Sequence, residues 1–170
     1  MAGIPEILLL EDSRNDRDLF ALALVNSGVR AILRHATDVA DAVRQLTGVG
    51  NYAHCKLPAV VVLDLALPDL DGIALLRMIR RDIIPNHIPV VVLTGSMRES
   101  DRAVCEALGV DEFQVKPVLF ADLVAFAGSL RRFLPGGAHA ADETARLFRR
   151  MHPGAQPPRP PGTSAGTPSS

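Results

Sequence analysis

Two uninterrupted apolar runs, Ala59-Val60-Val61-Val62-Leu63 and Ile88-Pro89-Val90-Val91-Val92-Leu93, narrow most what this chain can fold into. A strand with one wet face alternates apolar and polar residues. A β-branched run with no polar position is covered on both faces, as in the middle of a parallel sheet. Three weaker strand candidates accompany them, at residues 7–10, 31–33 and 111–115.

Helical spacing fills the intervals. Leu19, Phe20, Ala23 and Leu24 recur at helical period, with Ser13 and Asp16 able to cap the start and Gly28 the end. Residues 38–46 place Val39, Ala42, Val43 and Leu46 on one face. Residues 71–82 turn Ile73, Leu76 and Ile79 inward. Ser96 and Glu99 read as a capping box for a helix ending at Gly109. Residues 119–134 read as a last helix, stopped by Pro135-Gly136-Gly137. A loop at residues 48–58 precedes the first apolar run.

Five strand–helix units in sequence predict an α/β fold: a doubly wound, five-stranded parallel sheet flanked by five helices. In such sheets a ligand sits beyond the carboxyl ends of the strands. Those ends are therefore where chemistry is expected.

Four of them carry polar groups: Glu11-Asp12, Asp64, Thr94 and Lys116-Pro117. Taken singly, each has an ordinary explanation, as a helix cap, a solvated loop, a strand threonine or a turn. Together, at one sheet edge, they point to phosphoryl chemistry. Crowded carboxylates repel, and a hard divalent cation with oxygen ligands relieves them. Glu11, Asp12 and Asp64, with the backbone carbonyl of Ala66, are expected to hold Mg²⁺. Asp64 is then the nucleophile that forms an acyl phosphate. Lys116 offers a positive charge to one phosphoryl oxygen and Thr94 a hydroxyl to another, and Gly95 leaves the entry open.

The remaining composition sets bounds. Apolar residues make up 48% of the 170, enough for a full core. A net charge of −1 argues against a nucleic-acid or membrane surface driven by bulk charge, and against a DNA-binding module. Cys55 and Cys105 form no CxxC pair, and no histidine stands at ligand spacing from either. They are expected as thiols without a disulfide in a reducing cytoplasm. No basic stretch precedes residues 7–10, which are too short for a signal core or a membrane span, so a cytoplasmic protein is expected. His35, His54, His87, His139 and His152 are expected as surface or loop groups. Residues 138–151 could form a short sixth helix, with Ala141, Ala145, Phe148 and Met151 on one side and Arg146, Arg149 and Arg150 mostly opposite. Residues 152–170, rich in Pro, Gly and Ser, read as a flexible tail.

The segments Leu8-Leu9-Leu10-Glu11-Asp12-Ser13, Val62-Leu63-Asp64-Leu65-Ala66-Leu67-Pro68-Asp69-Leu70-Asp71-Gly72, Val91-Val92-Leu93-Thr94-Gly95 and Val115-Lys116-Pro117 resemble the signature of response-regulator receiver domains. The likeness covers residues 5–134. It implies a CheY-like sheet with strand order 2-1-3-4-5 and Mg²⁺-dependent transfer of a phosphoryl group from a histidine kinase to Asp64. It also implies that Glu11, Asp12 and Asp64 form the metal site and that Thr94 and Lys116 sense the phosphoryl group. Phe113 matches the aromatic that turns inward on phosphorylation, and Lys116-Pro117 matches a cis peptide. Ala66 and Ser96 stand at positions that tune water access in the family.

A softer likeness is to the stand-alone regulators found beside bacterial phytochrome kinases. It implies a light-sensing kinase as donor and a homodimer through the fourth helix, fifth strand and fifth helix. Two other functions fit parts of the pattern. An aspartyl-nucleophile phosphohydrolase would need a second Asp where Ala66 stands, leaving the acid/base role vacant. A pseudo-receiver that only binds partners would not need the complete acidic cluster.

Overall fold

The computed structural model describes residues 3–67, 72–81 and 88–136. Its elements alternate as expected. They are β1 (Glu6–Leu10), α1 (Arg14–Asn26), β2 (Ile32–Ala36), α2 (Val39–Thr47), β3 (Val60–Leu63), α3 (Gly72–Arg80), β4 (Val90–Thr94), α4 (Glu99–Ala107), β5 (Glu112–Val115) and α5 (Phe120–Ser129). The five strands are all parallel and lie in the order β2-β1-β3-β4-β5. The possible helix at 138–151 and the tail at 152–170 lie outside the described residues, as do Pro68, Asp69, Leu70, Asp71 and His87.

Side chains alternate across a strand, and each central strand feeds two cores. Ile7 and Leu9, Val60 and Val62, and Val91 and Leu93 point to one side, where Phe20, Ala23 and Leu24 of α1 meet Phe126 and Ala127 of α5. Phe20 and Phe126 meet edge to face, with ring centroids 6.4 Å apart. Leu8 and Leu10, Val61 and Leu63, and Val90 and Val92 point to the other side, against α2, α3 and Cys105 of α4. Every residue of β3 and β4 is buried, which is why those two runs have no polar position. Each such side chain contributes on the order of 1.5–3 kcal/mol.

Ser13 caps α1 by accepting from the Asp16 backbone N–H, as its spacing predicts. Other local expectations are corrected. Ser96 does not cap α4. Its hydroxyl donates to Asp101 and accepts from Arg98 N–H, so it is spent in the preceding turn and the helix starts at Glu99 without a side-chain cap. The last helix is not continuous to residue 134. It passes into a 3-10 segment at Leu130–Phe133, just after Gly128, a weak helix former, and Ser129, whose hydroxyl bonds back to the Phe126 carbonyl. Gly109, at φ +72°, ends the α4 turn as expected. The loop at residues 48–58 holds one 3-10 turn, Gly50–Tyr52. No helix among the described residues is long and apolar enough to cross a membrane.

One glycine bears directly on the strand ends. A Cβ on Gly72 would lie 2.4 Å from the Asp64 carbonyl oxygen and 2.9 Å from Leu65 Cα, both backbone atoms that cannot step aside cheaply. Gly72→Ala is expected to cost about 2 kcal/mol or more by overpacking. Gly128→Ala, whose Cβ would meet Ser27 Cβ at an ordinary 3.7 Å, is expected to gain about 0.5–1 kcal/mol. Urea unfolding of both variants checks this, and equal effects would contradict the close approach at Asp64.

Candidate functional site

Strand register brings the polar strand ends together. Leu10 is aligned with Leu63, so the residues that follow, Glu11 and Asp64, emerge side by side. The Asp64 N–H donates to the Leu10 carbonyl at 3.0 Å. Thr94 is aligned with Val115, and the Lys116 N–H donates to the Thr94 carbonyl at 2.8 Å. After β1 the chain turns to β2 on one side and then crosses to β3 on the other. The reversal falls between β1 and β3, where open α/β sheets place their ligand crevice.

Glu11 and Asp64 are almost wholly buried, at 3% and 4% exposure. Buried carboxylates need partners. Lys116 Nζ supplies them, 2.7 Å from Glu11 Oε2 and 2.8 Å from Asp64 Oδ2. Glu11 Oε1 accepts from Ser13 N–H at 3.0 Å, and Asp64 Oδ1 accepts from Ala66 N–H at 3.0 Å. Burial nevertheless holds the Glu11 carboxyl above the usual range, and Asp64 adds to that. The hydrogen bond and charge of Lys116 oppose it. At Lys116 burial favours the neutral amine, but Asp16, Asp64 and Glu11 together outweigh it and hold the ammonium above the ordinary lysine range.

The other expected residues fall into place unevenly. Thr94 is fully buried at the end of β4. Its Oγ1 accepts from Ser96 N–H at 3.1 Å, which leaves the hydroxyl proton available. Gly95 is exposed, and a Cβ there would meet nothing within 4 Å, so the entry is open. Asp12 is exposed and joins the cluster through its backbone, since Arg17 Nη1 donates to the carbonyls of Glu11 and Asp12 at 2.9 and 2.7 Å. Phe113 is half-buried, packed against the α2–α3–α4 core, with the Arg102 guanidinium 4.6 Å from its ring centroid. Every peptide bond among the described residues is trans, Lys116-Pro117 included, which corrects the expected cis bond. Trans is the lower-energy isomer before proline by about 0.5–1 kcal/mol. In that form Lys116 already reaches all its partners.

Asp16 was read only as a helix-cap position, yet its Oδ2 lies 2.6 Å from Lys116 Nζ. The available signal was its place in the first turn of a helix that starts at the acidic strand end. Arg17, one residue on, gave no such signal.

Among the described residues, no three carboxylate, imidazole or thiol side chains are arranged to hold a metal ion. Glu11, Asp16 and Asp64 are directed instead at the Lys116 ammonium. The donor chemistry of Glu11 and Asp64 does fit a hard cation: their anionic oxygens converge within 2.7–2.8 Å on one positive centre.

A family model for the response regulator receiver domain matches residues 7–127. The chain belongs to that family. Its fold is close to that of the phosphorylated cyanobacterial phytochrome response regulator RcpA, with a TM-score of 0.70 and 32% identity over 77% of this chain and 94% of RcpA. It is also similar to the Mn²⁺-bound response regulator Rcp1, with a TM-score of 0.66 and 33% identity over 76% of this chain and 93% of Rcp1. Among curated proteins it is 30% identical over 143 residues to the phosphate regulon transcriptional regulatory protein PhoB of Pseudomonas aeruginosa, which covers 84% of this chain and 58% of PhoB. The receiver chain thus spans little more than half the length of such transcriptional regulators.

Removing the shared cation tests the electrostatics of this receiver site. In Lys116→Met without divalent cations, Glu11 and Asp64 face each other uncompensated. The variant is expected to lose about 2–3 kcal/mol at pH 7, below the value for a wholly buried pair because Lys116 is partly exposed. A carboxyl raised in the folded state binds its proton where the unfolded chain has already released it, so stability falls as pH rises through that window. Loss of Lys116 widens the window upward from the ordinary value of 4.5. The deficit should therefore shrink as pH is lowered from 7 towards 4.5, as urea unfolding across that range would show. A pH-independent deficit would contradict the assignment.

Proposed function

We propose that this chain is a two-component response regulator that accepts a phosphoryl group on Asp64 from a histidine kinase and changes its partner surface in consequence. The observation that carries this reading is Asp64 itself. It is a nearly buried carboxylate at the sheet's switch point, 2.8 Å from an ammonium and beside a second buried carboxylate. Lys116 offsets negative charge on the carboxylates, which makes the group approachable by an anionic donor.

In the transfer an Asp64 oxygen forms a bond to phosphorus as the bond from phosphorus to the donor imidazole nitrogen breaks, and the imidazole leaves. Glu11, Asp12 and Asp64, with the Ala66 carbonyl, would hold Mg²⁺. When bound it would offset charge on the carboxylates and the transferring group. Mn²⁺ bound to Rcp1 supports that choice of cation class. Thr94 gives a hydroxyl donor and Lys116 an ammonium to the phosphoryl oxygens, and Gly95 keeps the entry clear.

Phe113 carries the change to the α4–β5 face, where it lies under Arg102. Pairing of two copies through α4, β5 and α5 is the output we favour, in the cytoplasm and without DNA. The phytochrome regulator RcpA supports a light-sensing kinase as donor. Ala66, which offers no acid or base two residues after Asp64, favours a switch over a hydrolase.

Incubation with acetyl phosphate and Mg²⁺ should retard the protein on a Phos-tag gel, and EDTA should prevent the shift. Asp64→Asn should show none. A shifted Asp64→Asn band would remove the Asp64 assignment. Sedimentation with beryllofluoride and Mg²⁺ should show the dimer.

A further inference from the structure

Lys116 donates hydrogen bonds to Asp16 Oδ2 at 2.6 Å and Glu11 Oε2 at 2.7 Å, and it forms an ion pair with Asp64 Oδ2 at 2.8 Å. Two of these partners are the carboxylates assigned above to a divalent cation and a phosphoryl group. The ammonium and a metal ion compete for the negative charge of those two carboxylates. Asp16 belongs to neither set. It sits on α1 rather than on a strand end, and its side chain is 39% exposed where the other two are buried.

Asp16 is also held in place. Its N–H is capped by Ser13 Oγ at 3.3 Å. The next residue, Arg17, ties α1 to the carbonyls of Glu11 and Asp12. The space beneath the ammonium offers no substitute. There a small cavity of about 80 Å³ is walled by Leu9, Leu19, Phe20, Leu93 and Leu123, with Glu11, Asp16 and Lys116 among its lining. An ammonium leaving Glu11 and Asp64 would meet apolar walls on that side, where an unpartnered charge is costly.

We propose that Asp16 is a positioning residue for Lys116, the partner that keeps the ammonium at the pocket while Glu11 and Asp64 pass to the divalent cation and the phosphoryl group. This rests on the reading of Asp64 given above. Without Asp16 the ammonium's remaining partners are the two carboxylates the cation needs, and it competes with the cation for both. Asp16 therefore eases entry of the cation by acting on Lys116, without itself being a ligand.

The test is a Mg²⁺ titration of the unphosphorylated full chain, followed by the Gly95 amide in ¹H–¹⁵N correlation spectra. Asp16→Asn should raise the Mg²⁺ midpoint by about three- to tenfold, the scale of a single coupled pair. Asp16→Glu should restore it to within about twofold. In a Lys116→Met background, Asp16→Asn should have no further effect, because the residue it acts through is gone. An unchanged midpoint in Asp16→Asn would overturn the proposal. So would an equal shift in the Lys116→Met background, which would reduce Asp16 to a distant negative charge. Asp18→Asn, on the same helix but paired with Arg14, should leave the midpoint unmoved. Phos-tag mobility of the wild type separates the two ideas. A wild type that shifts while Asp16→Asn titrates normally removes Asp16's role alone, and a wild type that neither shifts nor binds Mg²⁺ removes both.

Discussion

Glu11 and Asp64 are two carboxylates that folding drives out of water and against each other, and one ammonium makes that arrangement possible. Their burial follows from the sheet. β1 and β3 are central strands with every inward position apolar, so whatever follows Leu10 and Leu63 emerges under the same cover. A buried ionised carboxylate beside another is unfavourable by several kcal/mol unless compensated. Lys116 compensates from the end of β5, two strands away from β3, because its stem can cross the end of β4. The same constraint makes the site responsive on the proposed reading: a new anion or cation at Asp64 must rearrange the Lys116 contacts, since that ammonium already pairs with three carboxylates.

The frame around this pocket resists deformation. Val60 and Val62 face α1 and α5 while Val61 and Leu63 face α2 and α3, so a slip of one residue in β3 would turn two core faces inside out. Gly72 adds a local limit by letting the start of α3 approach the Asp64 backbone more closely than any Cβ would permit. Asp64 is thus fixed by register on one side and by close packing on the other. Its neighbour Gly95 stands in open space. The pocket is rigid at Asp64 and open at the entry, which on the proposed reading suits a carboxylate that must attack phosphorus from one direction only.

What the sequence made legible follows from periodicity. Unbroken apolar runs cannot be edge strands, and alternating units restrict connectivity, so Glu11, Asp64, Thr94 and Lys116 could be placed at one edge before any contact was known. Asp16 escaped because its spacing from Ser13 satisfies a helix cap, and its backbone does make that cap. One residue serves both as cap partner through its N–H and as ion-pair partner through its carboxylate, and a pattern of spacing reports only the first. The Ser96–Glu99 spacing misled in the opposite way. It matches a capping box, but Asp101 competes for the Ser96 hydroxyl and wins. The expected cis bond before Pro117 came from likeness alone, and Lys116 reaches three carboxylates with the bond trans.

On the proposed reading, the route from the pocket to the outer face is carried by β5. Lys116 and Phe113 lie three residues apart there, so one ends in the pocket while the other packs against the core at α4. Anchoring is uneven along that route. α3 buries Gly72, Ile73, Leu75, Leu76 and Ile79, whereas α4 fully buries Cys105 alone. An element with few buried apolar contacts moves at a lower free-energy cost than one with many. Arg102 over the Phe113 ring gives this lightly anchored helix an attachment that depends on the aromatic's position. A tyrosine could fix its outward position by a hydroxyl hydrogen bond. Phe113 has none; on the proposed reading the Arg102 guanidinium over its ring, worth about 0.5–1 kcal/mol at a partly exposed site, takes that role. A change of that size is enough to alter populations severalfold, and on the proposed reading it falls on the helix least able to resist it.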